Sequence, residues 1–176
     1  WIERGRGDAS SWEALGRGLA ALHARGHDGF GASAPGFIGP LPQDNRPADD
    51  WAVFYLERRL VPMAEIAVAR EGLDPDCRRD IDALGARTPE LCGPPEAPAQ
   101  LHGDLWSGNA LVDVDGRPWL IDPAAYGGHR EIDLAMMRLF GGFPETCFAA
   151  YAELHPLAPG HQDRLALHQL YPLLVH

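Results

Sequence analysis

Four polar residues near the middle of the chain have the types and spacing that metal-assisted proton transfer requires. His102, Asp104 and Asn109 lie within the stretch LHGDLWSGN, and Asp122 lies at the end of the stretch ALVDVDGRPWLID that follows it. A carboxylate such as Asp104 can orient an attacking hydroxyl group and accept its proton. The carboxylate of Asp122 and the amide oxygen of Asn109 are hard ligands of the kind that Mg²⁺ prefers. The sequence therefore predicts a proton acceptor beside a magnesium site.

These residues come together if the segment between them forms a β-hairpin. Residues 110–122 contain two apolar runs on either side of an Asp-Gly pair, which is a strong signal for a two-residue turn. A hairpin brings its two ends together, so we expect Asn109 and Asp122 to lie close in space. Asp104, in the loop that enters the hairpin, should face the same hollow.

The spacing His-x-Asp-x-x-x-x-Asn, followed by an aspartate across a short hairpin, is that of a kinase catalytic loop. In phosphoryl transfer the first Asp orients the acceptor hydroxyl, and the Asn and the second Asp hold the Mg²⁺ that neutralises phosphate charge. Gly103 replaces the usual Arg, a variant typical of small-molecule kinases related to the aminoglycoside phosphotransferases. We expect His102 to hold the loop by hydrogen bonds. Trp106 fits a place in the core as well as a platform for a sugar.

The elements that must position this loop are mostly helical. Helical spacing of apolar residues, with capping residues and prolines at the ends, predicts helices from Ser10 to near Gly26, from Asp49 or Asp50 to Ala69 with a kink at Pro62, and over residues 75–84, 132–140, 144–154 and 163–174. Residues 26–48 are predicted to form an irregular loop, residues 88–98 a proline-rich connector, and residues 99–102 a short strand. The predicted fold is a single domain over residues 1–176, mainly α with a small central β-hairpin.

Composition and charge narrow the functional classes. The 176-residue chain has a formal net charge of −10 and scattered arginines, which argues against nucleic acid and membrane surfaces as partners. No apolar run approaches the roughly 20 residues needed to cross a bilayer. The first residues have no apolar segment typical of a signal peptide. Three widely separated cysteines favour a reducing compartment, so we expect a cytoplasmic protein.

The stretches LHGDLWSGN and IDPAAYGGHREIDLAMMRLFGGFP closely resemble those of the fructosamine kinase (ketosamine 3-kinase) family. The segments GFIGPLPQDN, DDWAVFYLERRLVP and AYAELHPLAPGHQDRLALHQLYPLLVH are also similar to that family, so the resemblance covers nearly the whole chain. It implies a kinase-like fold of two lobes, ATP as co-substrate with Mg²⁺, and phosphorylation of the sugar 3-hydroxyl of ketosamines, either free or on protein lysines. Because phosphorylation makes the adduct labile, it also implies a role in deglycation.

By the same resemblance, Asp104 is the catalytic base, Asn109 and Asp122 are the Mg²⁺ ligands, and Asp133 braces the catalytic loop. The family's glycine-rich strands and phosphate-binding lysine belong to its N-terminal lobe. This chain has no lysine and no G-x-G-x-x-G motif, and the Gly-Arg-Gly triplet at residues 16–18 falls inside a helical pattern. We therefore expect the C-terminal lobe of a protein-kinase-like α+β fold, without the ATP-binding lobe and inactive by itself.

Three alternatives stay open at this level. The same lobe could serve an aminoglycoside, choline or homoserine kinase, although Trp106, Ser107 and the flanking segments favour ketosamines. A metal-dependent hydrolase could use the four central polar residues as ligands. Such enzymes need further ligands, and His23, His27 and His129 form no recognisable ligand pairs. A degraded kinase lobe could instead act as a binding module.

Two further pairs of residues are expected to have structural roles. His161 and His168 lie seven residues apart on the last predicted helix, where a surface or packing role is favoured over metal binding. Arg130 and Glu131 are expected to pair with each other or to cap the helix that follows them.

Overall fold

The computed structural model describes all 176 residues, and most of its regular structure is helical. The helices are α1 (Ala9–Ala24), α2 (Trp51–Tyr55), α3 (Val61–Ala69), α4 (Pro75–Gly85), α5 (Thr88–Leu91), α6 (Glu131–Phe140), α7 (Glu145–Leu154) and α8 (His161–Val175). The strands are β1 (Gly36–Ile38), β2 (Leu41–Gln43), β3 (Ala99–Gln100), β4 (Ala110–Val112), β5 (Pro118–Leu120) and β6 (Gly127–Gly128). They form three antiparallel pairs, β1 with β2, β3 with β6 and β4 with β5. The predicted fold class, mainly α with a small central hairpin, is confirmed. None of the helices combines the length and the apolar character needed to cross a membrane.

Helix α1 begins at a different cap from the predicted one. Asp8, and not Ser10, is the N-cap: its carboxylate accepts a hydrogen bond from the Ser11 backbone N–H at 2.9 Å. The Ser11 hydroxyl accepts in return from the Asp8 N–H at 3.4 Å, which completes a capping box. An ionised carboxylate is the stronger acceptor at the positive end of a helix, which explains why it displaces the serine. The helix ends before Gly26, as predicted.

Helices α2 and α3 are joined without a break by a π-helical turn, Leu56–Leu60. Asp50 caps α2 by accepting a hydrogen bond from the Val53 N–H at 3.0 Å, in agreement with the predicted start. Pro62 lies in the first turn of α3, where the missing N–H is tolerated. The irregularity expected at this proline therefore takes the form of a π-turn just before it. That turn buries both Arg59 and Leu60.

Two segments predicted to be irregular contain short regular elements. Residues 26–48 include the β1–β2 hairpin, and residues 88–98 include helix α5. Elements of three or four residues are too short for hydrophobic periodicity to reveal them. Residues 26–48 are also tied to the rest of the fold, because Gly31 pairs with Gly127 in an isolated β-bridge. Residues 26–48 therefore lie against the strand pair β3–β6, which flanks the LHGDLWSGN segment and the central hairpin.

Two apolar clusters form the interior. The larger one surrounds α2, α3 and α8 and includes Trp51, Phe54 and Tyr55. The second lies where α1, α6 and α7 meet, and it contains Leu105 of the LHGDLWSGN stretch. Leu105 is fully buried, so the loop of residues 101–109 is fixed to rigid helices by a side chain at its own centre.

Candidate active site

The central hairpin forms as predicted, but its turn is longer. Ala110 lies opposite Leu120 in the β4–β5 register. The Asp113 N–H donates to the Arg117 carbonyl at 2.9 Å, so three residues, and not two, form the loop. Gly116 occupies the left-handed position of this loop with φ +79°. A type I turn followed by a left-handed glycine is a common three-residue hairpin connection.

The hairpin brings its two ends together. The Ile121 N–H donates to the Asn109 carbonyl at 3.0 Å, and the Ile121 carbonyl lies 2.9 Å from Nε2 of His102. Asp122 follows directly, with an exposed side chain and a φ of +51°. A left-handed backbone is uncommon for a residue other than glycine, although Asp tolerates it better than most. Asp122 is therefore held at a sharp turn beside the loop that carries Asp104.

Asp104 and Asn109 are in direct contact. Nδ2 of Asn109 donates to the Asp104 backbone carbonyl at 2.8 Å and to its carboxylate at 3.1 Å. With its amide protons used in this way, Asn109 keeps Oδ1 as a free acceptor. Burial raises the pKa of Asp104, although the charge of His102 and the hydrogen bond from Asn109 oppose that rise. A carboxylate with a raised pKa is a stronger proton acceptor.

The backbone of this loop is held by a buried carboxylate from α6. Asp133 has no exposed surface, and its two oxygens accept hydrogen bonds from the N–H groups of His102 at 2.8 Å and Gly103 at 2.9 Å. Gly103 has a φ of +83°, and a Cβ atom there would lie 2.1 Å from the Ala124 carbonyl oxygen. Only glycine fits this position, which explains the departure from the protein-kinase pattern.

Comparisons with known proteins agree with these features. The family model for fructosamine kinase matches residues 1–176. The chain belongs to the fructosamine kinase family. It is 42% identical over 181 residues to a probable ketoamine kinase from Synechocystis sp., a match that covers 100% of this chain and 59% of that protein. It is 36% identical over 163 residues to the ketosamine-3-kinase of Mus musculus, covering 92% of this chain and 52% of that protein.

Solved structures give the same result for the fold. A candidate fructosamine-3-kinase from Thermobifida fusca superimposes with a TM-score of 0.96 at 45% identity, covering 100% of this chain and 61% of that one. An aminoglycoside-3'-phosphotransferase of type VIII superimposes with a TM-score of 0.57 at 21% identity. At this low identity the match shows a shared fold and does not indicate a shared substrate. The chain thus has the protein-kinase-like fold, and it spans about 60% of the length of the first relatives named here.

In this fructosamine kinase chain Trp106 lies at the surface of the loop and not in the core. Its side chain is 43% exposed. The indole ring packs over Gly108, where an added Cβ atom would lie 2.2 Å from the ring. A cavity of about 320 Å³ adjoins it and is lined also by Trp12 and Arg4. An exposed indole face, supported by Gly108 and lying two residues along the chain from Asp104, is available for contact with a ligand.

His102 has no ring nitrogen free for a metal. Its Nε2 contacts the Ile121 carbonyl at 2.9 Å, and its Nδ1 accepts from the Asp104 N–H at 3.3 Å. His27 lies 2.8 Å from the Gly29 carbonyl. These contacts favour a loop-holding role for His102, and they leave its ring unavailable as a ligand of a two-metal hydrolase.

Sequence reasoning missed one residue of this site, His23 on α1. Its Nε2 lies 3.1 Å from the Asp133 carboxylate, and its Nδ1 lies 2.8 Å from the Tyr151 hydroxyl on α7. Asp133 is therefore also held by a residue of α1. No local signal could have shown this contact, because the two residues are 110 positions apart in the chain.

Of the two expectations for Arg130 and Glu131, the pairing with each other is wrong, whereas Arg130 does lie at the N-cap position of α6, although its side chain makes no capping hydrogen bond. Arg130 donates to both carboxylate oxygens of Glu96, at 2.7 and 2.9 Å. Glu131 instead accepts from Arg164 of α8, at 2.6 and 2.9 Å. The start of α6 directs the two side chains to different sides, so that Arg130 meets Glu96 and Glu131 meets Arg164.

Proposed function

We propose that this chain carries the acceptor-activating and metal-binding part of a ketosamine 3-kinase, which transfers the γ-phosphoryl group of ATP to a sugar hydroxyl. The observation that carries the proposal is the Asp104 carboxylate, half-buried and held against Asn109 in a loop that Asp133 fixes. Two relatives support the acceptor class by name, the mouse ketosamine-3-kinase and a protein-ribulosamine 3-kinase from rice.

Asp104 is the proton acceptor in this proposal. Its carboxylate accepts a hydrogen bond from the sugar 3-hydroxyl and so orients the oxygen toward the phosphorus. As the new O–P bond forms and the bond to the ADP oxygen breaks, the hydroxyl proton passes to Asp104. Burial, which raises the pKa of Asp104, makes the carboxylate a better base for this transfer.

The donor set beside Asp104 fits a magnesium ion. Asn109 offers Oδ1, which has no role in its contact with Asp104, and Asp122 offers an exposed carboxylate at the facing end of the hairpin. Bound there, Mg²⁺ would neutralise the charge of the ATP phosphates. His102 and Asp133 act by holding the loop, and the exposed face of Trp106 provides a surface on which the sugar ring can lie.

Part of the nucleotide site must come from outside these 176 residues. The chain contains no lysine, whereas positioning and charge stabilisation supply most of phosphoryl-transfer catalysis. The chain spans only 59% of the first relative, so the missing groups can belong to the remainder of such a protein. We expect the isolated chain to be inactive or nearly so. In the longer protein, phosphorylation at the same site would make sugar adducts labile and so lead to their loss from amines, in a cytoplasm that keeps its three cysteines reduced.

The test is Mg²⁺-ATP-dependent phosphorylation of ribulosyl-lysine and fructosyl-lysine, followed by phosphorus NMR. It is run on this chain and on a protein extended to the length of its relatives. We expect transfer by the extended protein alone, and a loss of about 10²- to 10⁴-fold with Asp104→Asn. Asp115→Asn, an exposed aspartate in the hairpin turn, is the matched control and should keep full activity.

Two results would contradict the proposal. One is an Asp104→Asn protein with undiminished rate. The other is transfer to choline, homoserine or an aminoglycoside in the absence of any transfer to the two ketosamines.

A further inference from the structure

A second group of ligand-type side chains lies outside the catalytic loop, where the chain passes from β6 into α6 and meets α8. His129, Glu131 and His168 are 3%, 3% and 0% exposed. Each offers one ligand atom, and these three atoms lie within 4.8 Å of one another. The spacing of 129, 131 and 168 in the chain resembles no metal motif, so only the packing of α8 against α6 brings them together.

His168 is the member that the rest of the fold leaves unexplained. It is completely buried, yet neither Nδ1 nor Nε2 has a hydrogen-bond partner. Buried polar atoms are nearly always paired, so such an imidazole calls for a ligand. The ring stacks on His129 with centroids 5.2 Å apart and borders Trp51 and Tyr55.

The distance between His168 and Glu131 fits a shared metal ion. Nδ1 of His168 lies 3.4 Å from Oε2 of Glu131, without hydrogen-bond geometry. Two ligands that each lie about 2.0–2.1 Å from a tetrahedral Zn²⁺ are about 3.3 Å apart. The two atoms therefore already have the separation that a zinc ion would impose.

Hydrogen bonds from Arg164 hold the carboxylate of Glu131 in the way that metal-binding carboxylates are usually held. Arg164 donates from Nη2 to Oε1 at 2.6 Å and from Nε to Oε2 at 2.9 Å. Ligating carboxylates commonly accept such hydrogen bonds from residues behind them, which fix their orientation. Arg164 thus keeps the carboxylate ionised and aimed, and each oxygen retains a lone pair for a cation.

The buried group borders a cavity at one of its three members. His129 lines a cavity of about 400 Å³ between the loop that follows α1, the start of α2 and the proline-rich connector. The same cavity is lined by four carboxylate side chains, those of Asp28, Asp49, Asp50 and Glu96. Negative charge at the mouth of a cleft raises the local concentration of cations.

We propose that His129, Glu131 and His168 bind one Zn²⁺ ion, which ties the start of α6 to α8. Two imidazoles and one carboxylate are a known zinc donor set, with the fourth position open to water from the cavity. Mg²⁺ prefers oxygen ligands alone, so this ion is distinct from the one proposed at Asn109 and Asp122. The zinc site does not depend on the proposed kinase activity.

The test uses the 176-residue chain, stripped with a chelator and titrated with Zn²⁺ alone by calorimetry and by thermal unfolding. We expect one ion per chain and a saturable rise in Tm. His168→Gln and His129→Gln should each lower the affinity by at least about tenfold. His161→Gln, on the same helix seven residues earlier and outside the group, is the control and should bind zinc as the unaltered chain does.

A measurement on the unaltered chain covers the case in which the variants fail to fold. Co²⁺ in place of Zn²⁺ should give the intense visible absorption of tetrahedral coordination with nitrogen ligands. Weak, non-saturating binding, or binding that His168→Gln leaves intact, would mean an adventitious ion only and would overturn the proposal. The weak spectrum of six-coordinate Co²⁺ at saturation would overturn it as well.

Discussion

Two glycines on the same helix are predicted to respond in opposite directions to the same substitution. Gly16 and Gly18 both lie within α1, where alanine is the better helix former by about 1 kcal/mol. Gly18 is exposed, and an added Cβ atom there would meet nothing within 4 Å. Gly18→Ala should therefore raise the free energy of unfolding by about 1 kcal/mol.

Gly16 faces α7 at backbone contact distance. An added Cβ atom would lie 2.1 Å from the Cys147 carbonyl oxygen and 3.1 Å from the Tyr151 nitrogen, whereas carbon atoms in contact are about 3.5 Å apart or more. No side-chain rotation relieves a clash with backbone, so the two helices must move apart. Overpacking costs about 1–3 kcal/mol, and a backbone clash belongs at the upper end. After the gain in helix propensity, Gly16→Ala should lower the free energy of unfolding by about 2 kcal/mol.

The two variants should therefore differ by about 3 kcal/mol, or about 6–12 °C in Tm for a chain of this size. Thermal unfolding by circular dichroism, with urea unfolding as a second measurement, gives both values. The interface matters for the site as well, because His23 on α1 contacts Tyr151 on α7 and Asp133 beneath the catalytic loop. If Gly16→Ala is as stable as Gly18→Ala, the inferred close packing of α1 against α7 is wrong.

Two further predictions concern the catalytic loop. Burial opposes ionisation of Asp133, but its hydrogen bonds with His23 and Gly103 outweigh burial and lower its pKa. Its stabilising effect is then present above the unfolded-state pKa of about 3.9 and is lost as the pH falls below it. Asp133→Asn should thus lower the free energy of unfolding, measured with urea, by about 3 kcal/mol at pH 7. The difference from the unaltered chain should shrink toward pH 3, and a difference independent of pH would contradict this. Trp106→Ala, in the extended protein, should raise KM for ketosamine about tenfold with little change in kcat, because a stacking surface binds substrate and transition state alike; a fall in kcat with unchanged KM would contradict a platform role.

A largely buried charge pair ties two connecting segments to the start of α6. Arg130, at the start of α6, donates to Glu96 in the proline-rich connector. It also donates to the carbonyls of His155 and Pro156, at 2.7 Å each. Breaking a buried pair of this kind leaves an uncompensated charge, so both partners are needed together. The start of α6 is consequently fixed on one side by these bonds and on the other by Arg164.

The sequence by itself determined the local parts of this protein. The hairpin and the last three helices were predicted within about two residues of their observed bounds. This was possible because turns, caps and apolar periodicity act over a few residues. The cap at Asp50 and the end of α1 before Gly26 were also predicted correctly, because they too depend on residues close together in the chain. The similarity to fructosamine kinases also followed from short stretches of sequence, and the family match confirms it.

Only the tertiary structure decided which distant residues meet. Asp133 reaches the N–H groups of the catalytic loop about 30 residues earlier in the chain and His23 on α1. His129 and Glu131 meet His168 because α8 packs on α6. These contacts depend on how helices cross, and side-chain packing between helices sets that geometry. Nothing in the local pattern around any one of these residues specifies its partner.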